Sequence, residues 1–303
     1  MSKIEQADYT WAMARDLSGR VIVITGASSG IGAATAVACA EQGMDVALAA
    51  RRRDRLDQVA AAVTCRGVRA LVVPCDVRRQ ADVRDLIDRS AAELGRLDAV
   101  FANAGHGLFG PVAEARLGQV RDLFETNFWG TVTCVQHAVP IMRRKGSGHI
   151  LILSSALSEI GVPMYGFYAA TKAAQDALAS ALRAELSGQP IFVSSVHPIG
   201  TATEFFDVVR RLSPPAAGVS FNTPALLVHS AEKVARAVVR CLLRPRPEVW
   251  PSTGARLGLA MLTALPPVSA WAMRRLMQRR YRAATLPVQA PTGHSTLKPH
   301  HAP

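Results

Sequence analysis

The sequence predicts an α/β protein: a doubly wound parallel sheet with helices on both faces, as one domain with a helical extension at its C-terminus. Three observations predict it. Short apolar runs alternate with amphipathic stretches over residues 21–197, the order that parallel strands joined by crossover helices require. Most of those runs are continuously apolar, so their strands are buried on both faces. Finally, 49% apolar, 19% charged and 6% aromatic residues in a chain of 303 suit close-packed helices on buried strands, and exclude a disordered chain.

In chain order, strands are expected at Val21–Thr25, Asp45–Ala50, Ala70–Pro74, Ala99–Ala102, Ile150–Ser154 and Ile191–His197. Helices are expected between them, at about 30–42, 54–65, 79–94, 116–144 and 166–187. Beyond His197 the alternation loosens. Pro198, Pro214, Pro215, Gly218 and Pro224 make about 200–228 a long loop or lid. Glu232–Leu243 reads as a helix and Val249–Trp250 as a last short strand. Residues 254–283 read as two helical pieces divided by Pro266 and Pro267. The expected boundaries are a lead-in over 1–18, the main domain over 19–250, the extension over 251–284 and a disordered tail over 285–303.

The formal charge is +12, from 35 Lys and Arg against 23 Asp and Glu, and no acidic residue follows Glu248. The segment after it holds Arg256, Arg274, Arg275, Arg279, Arg280, Arg282 and Lys298. Apolar residues beside Arg and Trp271 suit a membrane-surface helix over 254–283; a pocket cover or a subunit contact fits the same pattern. Leu257–Met273 is 17 residues without charge. That is short of the roughly 20 a spanning helix needs, and the Pro pair breaks it. Nucleic acid is not an expected partner, because no reading module accompanies the basic cluster. Residues 1–18 carry Glu5, Asp8 and Asp16 and no apolar signal core. The five Cys, at 39, 65, 75, 134 and 241, form no CxxC pair; a reducing, cytoplasmic setting is expected, peripheral to the inner face of a membrane if the extension docks there. His106 and His197 have no second ligand at suitable sequence spacing, so no metal site is expected. Met142, Met164 and Met273 read as ordinary packing.

The first strand runs into Gly26-Ala27-Ser28-Ser29-Gly30-Ile31-Gly32 and then an Ala-rich helix. Gly26 permits a tight turn, Gly30 lets the backbone approach a pyrophosphate, and Gly32 lets helix and strand pack closely. The helix N-terminus offers free N–H groups to phosphate. Further along stand Asn103-Ala104-Gly105 after the fourth strand, Asn127 in the helix after it, Ser155 at the end of the fifth strand, and Tyr168-x3-Lys172, with Tyr168 13 residues beyond Ser155. This ordered set, over about residues 18–250, resembles the short-chain dehydrogenase/reductase family and so implies a Rossmann-type dinucleotide fold.

The end of the second strand bears on the cofactor. An acidic residue there binds the ribose 2′-OH of NAD, whereas an Arg accommodates the 2′-phosphate of NADP. This chain has Ala50, then Arg51, Arg52 and Arg53. A guanidinium grips a phosphate through two hydrogen bonds. NADP(H) is therefore expected, with Arg51 as chief contact and Arg52 second. Asp76 resembles the family residue at the adenine, although it reads equally well as a helix N-cap. The resemblance adds Ser28, Ser29, Ile31, Val77, Asn103, Ala104, Gly105, Pro198, Ile199 and Thr203 to the expected cofactor contacts. Ile199 stands where the family has Gly.

Hydride transfer to a carbonyl leaves charge on its oxygen, which calls for an acid and a hydrogen-bond donor. Tyr168 and Lys172 lie four apart on one helix face, and a nearby ammonium lowers a phenol's pKa. By resemblance Tyr168 is the general acid in reduction and base in oxidation, Lys172 also binds the nicotinamide ribose, Ser155 holds the substrate oxygen, and Asn127 helps hold a water linking Lys172 to solvent. Ser154 is expected to pair inward, and Tyr165 lacks a Lys four residues on. Leu157, Ile160, Val162, Phe109, Phe205, Phe206 and Phe221 suggest an apolar pocket for a small lipophilic carbonyl or alcohol. An oxidoreductase acting on CH–OH groups is the first reading, as a homo-oligomer, dimer or tetramer. A non-catalytic NADP(H)-binding scaffold or sensor, or a membrane-surface module, is the alternative.

Overall fold

The computed structural model describes residues 14–212, 228–265, 267–271, 274, 275 and 278. Seven parallel strands form the central sheet in the order β3-β2-β1-β4-β5-β6-β9: β1 Val21–Thr25, β2 Asp45–Ala50, β3 Ala70–Pro74, β4 Ala99–Ala102, β5 Gly148–Leu153, β6 Ile191–Val196 and β9 Glu248–Val249. Helices α1 (Gly30–Ala40), α2 (Arg53–Thr64), α3 (Gln80–Glu93), α4 (Leu117–Phe124), α5 (Gly130–Lys145) and α6 (Gly166–Glu185) cross between the strands. Then follow α7 (Phe205–Leu212), α8 (Ala231–Leu243) and α9 (Thr253–Ala264).

Burial on both faces follows the period-2 geometry of a strand. Val21 and Val23 of β1 join a core with Leu86, Ile87, Cys134, Met142 and Leu182, from α3, α5 and α6. Ile22 and Ile24 join another with Ala36, Leu56 and Val238, from α1, α2 and α8. The strand order reverses between β1 and β4, and ligands of such sheets bind in the crevice at that point, beyond the strands' carboxyl ends.

Several boundaries differ from expectation; the last strand, expected at Val249–Trp250, is Glu248–Val249. The stretch expected as one helix over 116–144 is α4 and α5 joined by a π-helical turn at Glu125–Trp129, which contains Asn127. Strand β5 begins at Gly148, earlier than Ile150, because the Gly148 N–H donates to the Pro190 carbonyl at 3.0 Å. It ends at Leu153, and β6 at Val196, which leaves Ser154, Ser155 and His197 on loops. A small second sheet, unforeseen, pairs β7 (Thr201–Ala202) with β8 (His229–Ser230). Within the expected lid, residues 213–227 lie outside the described residues, and with them Phe221, Pro214, Pro215, Gly218 and Pro224; so do Met273, Arg279, Arg280, Arg282, Lys298 and the tail over 285–303.

Candidate active site

The loop after β1 turns on two left-handed glycines, Gly26 at φ 66° and Gly30 at φ 57°. A Cβ on Gly32 would stand 2.4 Å from the Gly26 carbonyl oxygen, so the third glycine lets α1 pack against the turn. Asn103 pins that turn from β4, donating through Nδ2 to the Thr25 carbonyl at 2.8 Å. The backbone N–H groups of Asn103 and Ala104 both donate to Thr25 Oγ1 at 3.0 Å. The first turn of α1 carries no carboxylate and no side-chain cap, which leaves its N–H groups facing the crevice.

That crevice is a cleft of about 760 Å³. Every residue expected to bind cofactor or act in catalysis lines it except Gly32 and Asn127. Arg51 and Arg52 stand at its rim. Arg52 is the more tightly held: its guanidinium donates to Ser28 Oγ at 3.1 Å and Ser29 Oγ at 2.9 Å, and pairs with Glu204 at 2.9 Å. Asp76 is held by Arg78 at 2.6 Å, and that hydrogen bond keeps its carboxyl below the usual range, against the effect of burial. Arg79, and not Asp76, is the N-cap of α3. The donors fit a phosphorylated dinucleotide: two guanidiniums, two serine hydroxyls and helix N–H groups beside glycines where a Cβ would intrude. Ile199 costs no backbone strain, because Met164 is the one described non-glycine residue at positive φ.

Ser154 and Ser155 part company where β5 ends. Ser154 turns inward, donating to the Lys172 carbonyl at 3.2 Å. Ser155 Oγ accepts the Leu157 N–H at 3.1 Å, and the hydroxyl makes a hydrogen bond with Tyr168. Tyr168 and Lys172 come together on α6, with Nζ 5.6 Å from the centre of the phenol ring. The direction of the phenol's shift differs from expectation, and burial is the cause. Burial pushes the Tyr168 phenol above its ordinary value of 10, with the Ser155 hydrogen bond opposing. Burial pushes Lys172 down to about 7, with Asp176 opposing. Desolvation dominates at both groups, and Nζ donates elsewhere, to the Leu153 carbonyl at 2.7 Å and to Gln175 Oε1 at 2.9 Å.

Gln175 was missed by sequence reasoning. It is fully buried, and its Nε2 donates to the Asn127 carbonyl at 2.8 Å and Thr131 Oγ1 at 2.7 Å. Its amide joins the Lys172 ammonium to the Asn127 carbonyl. The π turn presents that Asn127 carbonyl to Gln175. The Asn127 side chain clamps the loop after β4 through both backbone groups of His106, each at 3.0 Å. A polar residue three positions after Lys172, on the face that buries Tyr168, Lys172 and Ala179, is the signal that could have exposed it. Arg78 and Glu204 were missed too, having no motif to mark them.

Leu157, Val162, Phe205 and Phe206 line the deeper end of the cleft. Phe109 and Ile160, expected there, instead pack behind it in a cluster with Met164 and Tyr165. His106 also faces the cleft, and burial first, then Arg51, pushes it down to about 4. Sequence spacing hid a grouping at His197: the ligand atoms of Glu159, Asp176 and His197 lie within 4.8 Å of one another. The His197 ring stacks on Trp250 at 4.4 Å, Nε2 hydrogen-bonds Ser195 at 2.9 Å and Asp176 faces it at 3.6 Å.

Residues 20–212 match the family model described as short chain dehydrogenase. The chain is 33% identical over 267 residues to 11-beta-hydroxysteroid dehydrogenase A of Sesamum indicum, covering 86% of this chain and 76% of that one. It is 33% identical over 235 residues to glycine betaine reductase ATRR of Emericella nidulans, covering 76% of this chain but only 18% of that much longer protein. Among solved structures, an alcohol dehydrogenase from the archaeon Thermococcus sibiricus complexed with 5-hydroxy-NADP superposes with a TM-score of 0.65 at 29% identity, over 76% of this chain and 95% of that one. Other similar structures hold NAD. With the glycine turn, the switch-point cleft and the Ser155–Tyr168–Lys172 grouping in one place, the chain belongs to the short-chain dehydrogenase/reductase family of oxidoreductases.

Proposed function

We propose that this protein is an NADP(H)-dependent oxidoreductase that interconverts a carbonyl and a secondary alcohol on a lipophilic substrate. The observation that carries the reading is the meeting of Ser155, Tyr168 and Lys172 in a cleft whose far rim bears Arg51 and Arg52. When bound, the dinucleotide would supply or accept a hydride at its nicotinamide. Arg51, Arg52, Ser28 and Ser29 would hold the phosphate at its other end, where an acidic residue would repel it. The Ser155 hydroxyl, set by the Leu157 N–H it accepts, would donate to the substrate oxygen. Tyr168, whose proton burial retains at neutral pH, would pass that proton to the same oxygen as hydride arrives. Lys172 would hold the ribose, and Asn127 fixes the floor beneath it. Leu157, Val162, Phe205 and Phe206 favour an apolar substrate. The steroid-dehydrogenase relative points the same way.

The test is NADPH oxidation with a panel of lipophilic ketones and aldehydes. Turnover with NADPH exceeds that with NADH, and Tyr168→Phe loses nearly all of it while still binding NADPH. Full turnover in Tyr168→Phe would exclude the phenol as the acid.

A further inference from the structure

Helix α9 and the helical residues after it leave large apolar side chains in water. No side chain of α9 is buried. Leu257 is 65% exposed, Met261 63% and Trp271 56%, with Leu265 and Val268 half exposed. Leu257 and Met261 are four apart and so share a face. By contrast α8, of similar length, buries most of its side chains against the sheet. A run of exposed large apolar residues this long marks a binding surface.

Charge selects what covers it. The one charged residue in α9 is Arg256, 3.3 Å from Glu248. Every charged residue after Glu248 is basic, and Arg274 and Arg275 are exposed. The Arg275 guanidinium lies 4.9 Å from the centre of the Trp271 ring, an aromatic and a cation side by side, as suits the boundary between headgroups and acyl chains. A second copy of this face would set arginine against arginine with no carboxylate between, which like-charge repulsion disfavours. Among the described residues no helix is long and apolar enough to cross a membrane. We propose that α9 and the helical residues after it, 267–271, 274 and 275, dock on the surface of an anionic lipid bilayer. Both helical pieces lie in the plane of the headgroups, with Leu257 and Met261 of α9 and Trp271 of the second piece toward the acyl chains and Arg274 and Arg275 on the lipid phosphates.

This inference does not rest on the proposed reaction, and its test reads binding alone. The full chain is floated with vesicles of phosphatidylcholine containing phosphatidylglycerol, and with phosphatidylcholine alone. Binding to the anionic vesicles, its loss at high salt and a blue shift of tryptophan emission that Trp271→Phe removes are the expected results. Arg274→Gln with Arg275→Gln weakens binding about 30-fold, at the contribution usual for two surface arginines. Leu257→Gln with Met261→Gln, on residues whose exposure spares the fold, weakens it at least as much. Equal binding to neutral vesicles, or binding unmoved by both pairs, overturns the proposal. So does Trp271 emission already blue-shifted without lipid, which would mean the chain covers its own face. A dimer in sedimentation that Leu257→Gln with Met261→Gln dissolves would assign the face to a second copy instead.

Discussion

At the scale of single residues, burial pushes Lys172 down to about 7, and the groups that accept from its Nζ act in the opposite direction. The Leu153 carbonyl and Gln175 Oε1 both accept from Nζ, and both favour the ammonium over the amine. The orientation of the Gln175 amide is fixed by chemistry: its nitrogen faces two acceptors and its oxygen a cation. Replacing Gln175 with Leu removes one acceptor at nearly constant volume. A hydrogen bond to a charged group is worth enough to shift Lys172 down from about 7 by about one pH unit. Gln175→Glu places a carboxylate there and shifts it up. The pH dependence of NADPH affinity, followed by fluorescence titration, reports both, with Lys172→Met identifying the limb that belongs to the lysine. A role in packing alone would lower the melting temperature of Gln175→Leu and leave that midpoint where it was.

At the scale of elements, the cleft is closed at its rim by an ion pair between two segments far apart in sequence. Arg52, at the N-cap of α2, reaches Glu204, just ahead of α7. Its partner keeps the Glu204 carboxyl low. The two side chains are 44% and 41% exposed, so solvent screens the pair and its contribution is small. Glu204 nevertheless competes for the guanidinium that a 2′-phosphate would use. Glu204→Gln is expected to tighten NADPH binding about twofold to fivefold and to leave NADH unchanged. Arg51→Ala weakens NADPH far more than NADH, and equal losses would count against a phosphate grip. Both are read from dissociation constants for the two dinucleotides.

At the scale of the whole molecule, stability is tied to pH through two histidines, one buried and one half-buried. His149 is 1% exposed, and burial pushes it down to about 3, with Arg15 adding to the effect; His106 is pushed down to about 4. An unfolded chain takes up these protons below pH 6.5 whereas the folded one refuses them. The two rings therefore cost no stability above pH 6.5, and stability falls as pH drops from there toward 4. Each ring removes at most about 1.4 kcal/mol per pH unit. Urea denaturation at pH 7.5, 6 and 5 measures the slope. His149→Gln flattens it, and an unchanged slope would mean the ring is already charged in the fold.

The main sheet, the glycine turn and the meeting of Ser155, Tyr168 and Lys172 in one cleft were legible in the amino-acid order. Each of these is written locally: apolar runs set the strands, positive φ demands glycine, and a four-residue spacing sets Tyr168 and Lys172 on one helix face. Tertiary structure alone decided their surroundings. Gln175 meets Asn127 only because α6 packs against the π turn, and Arg52 meets Glu204 only across the mouth of the cleft. The sign of the pKa shifts at Tyr168 and Lys172 was decided there as well. Sequence spacing supplies the partner, but how much water each group loses depends on everything that folds around it.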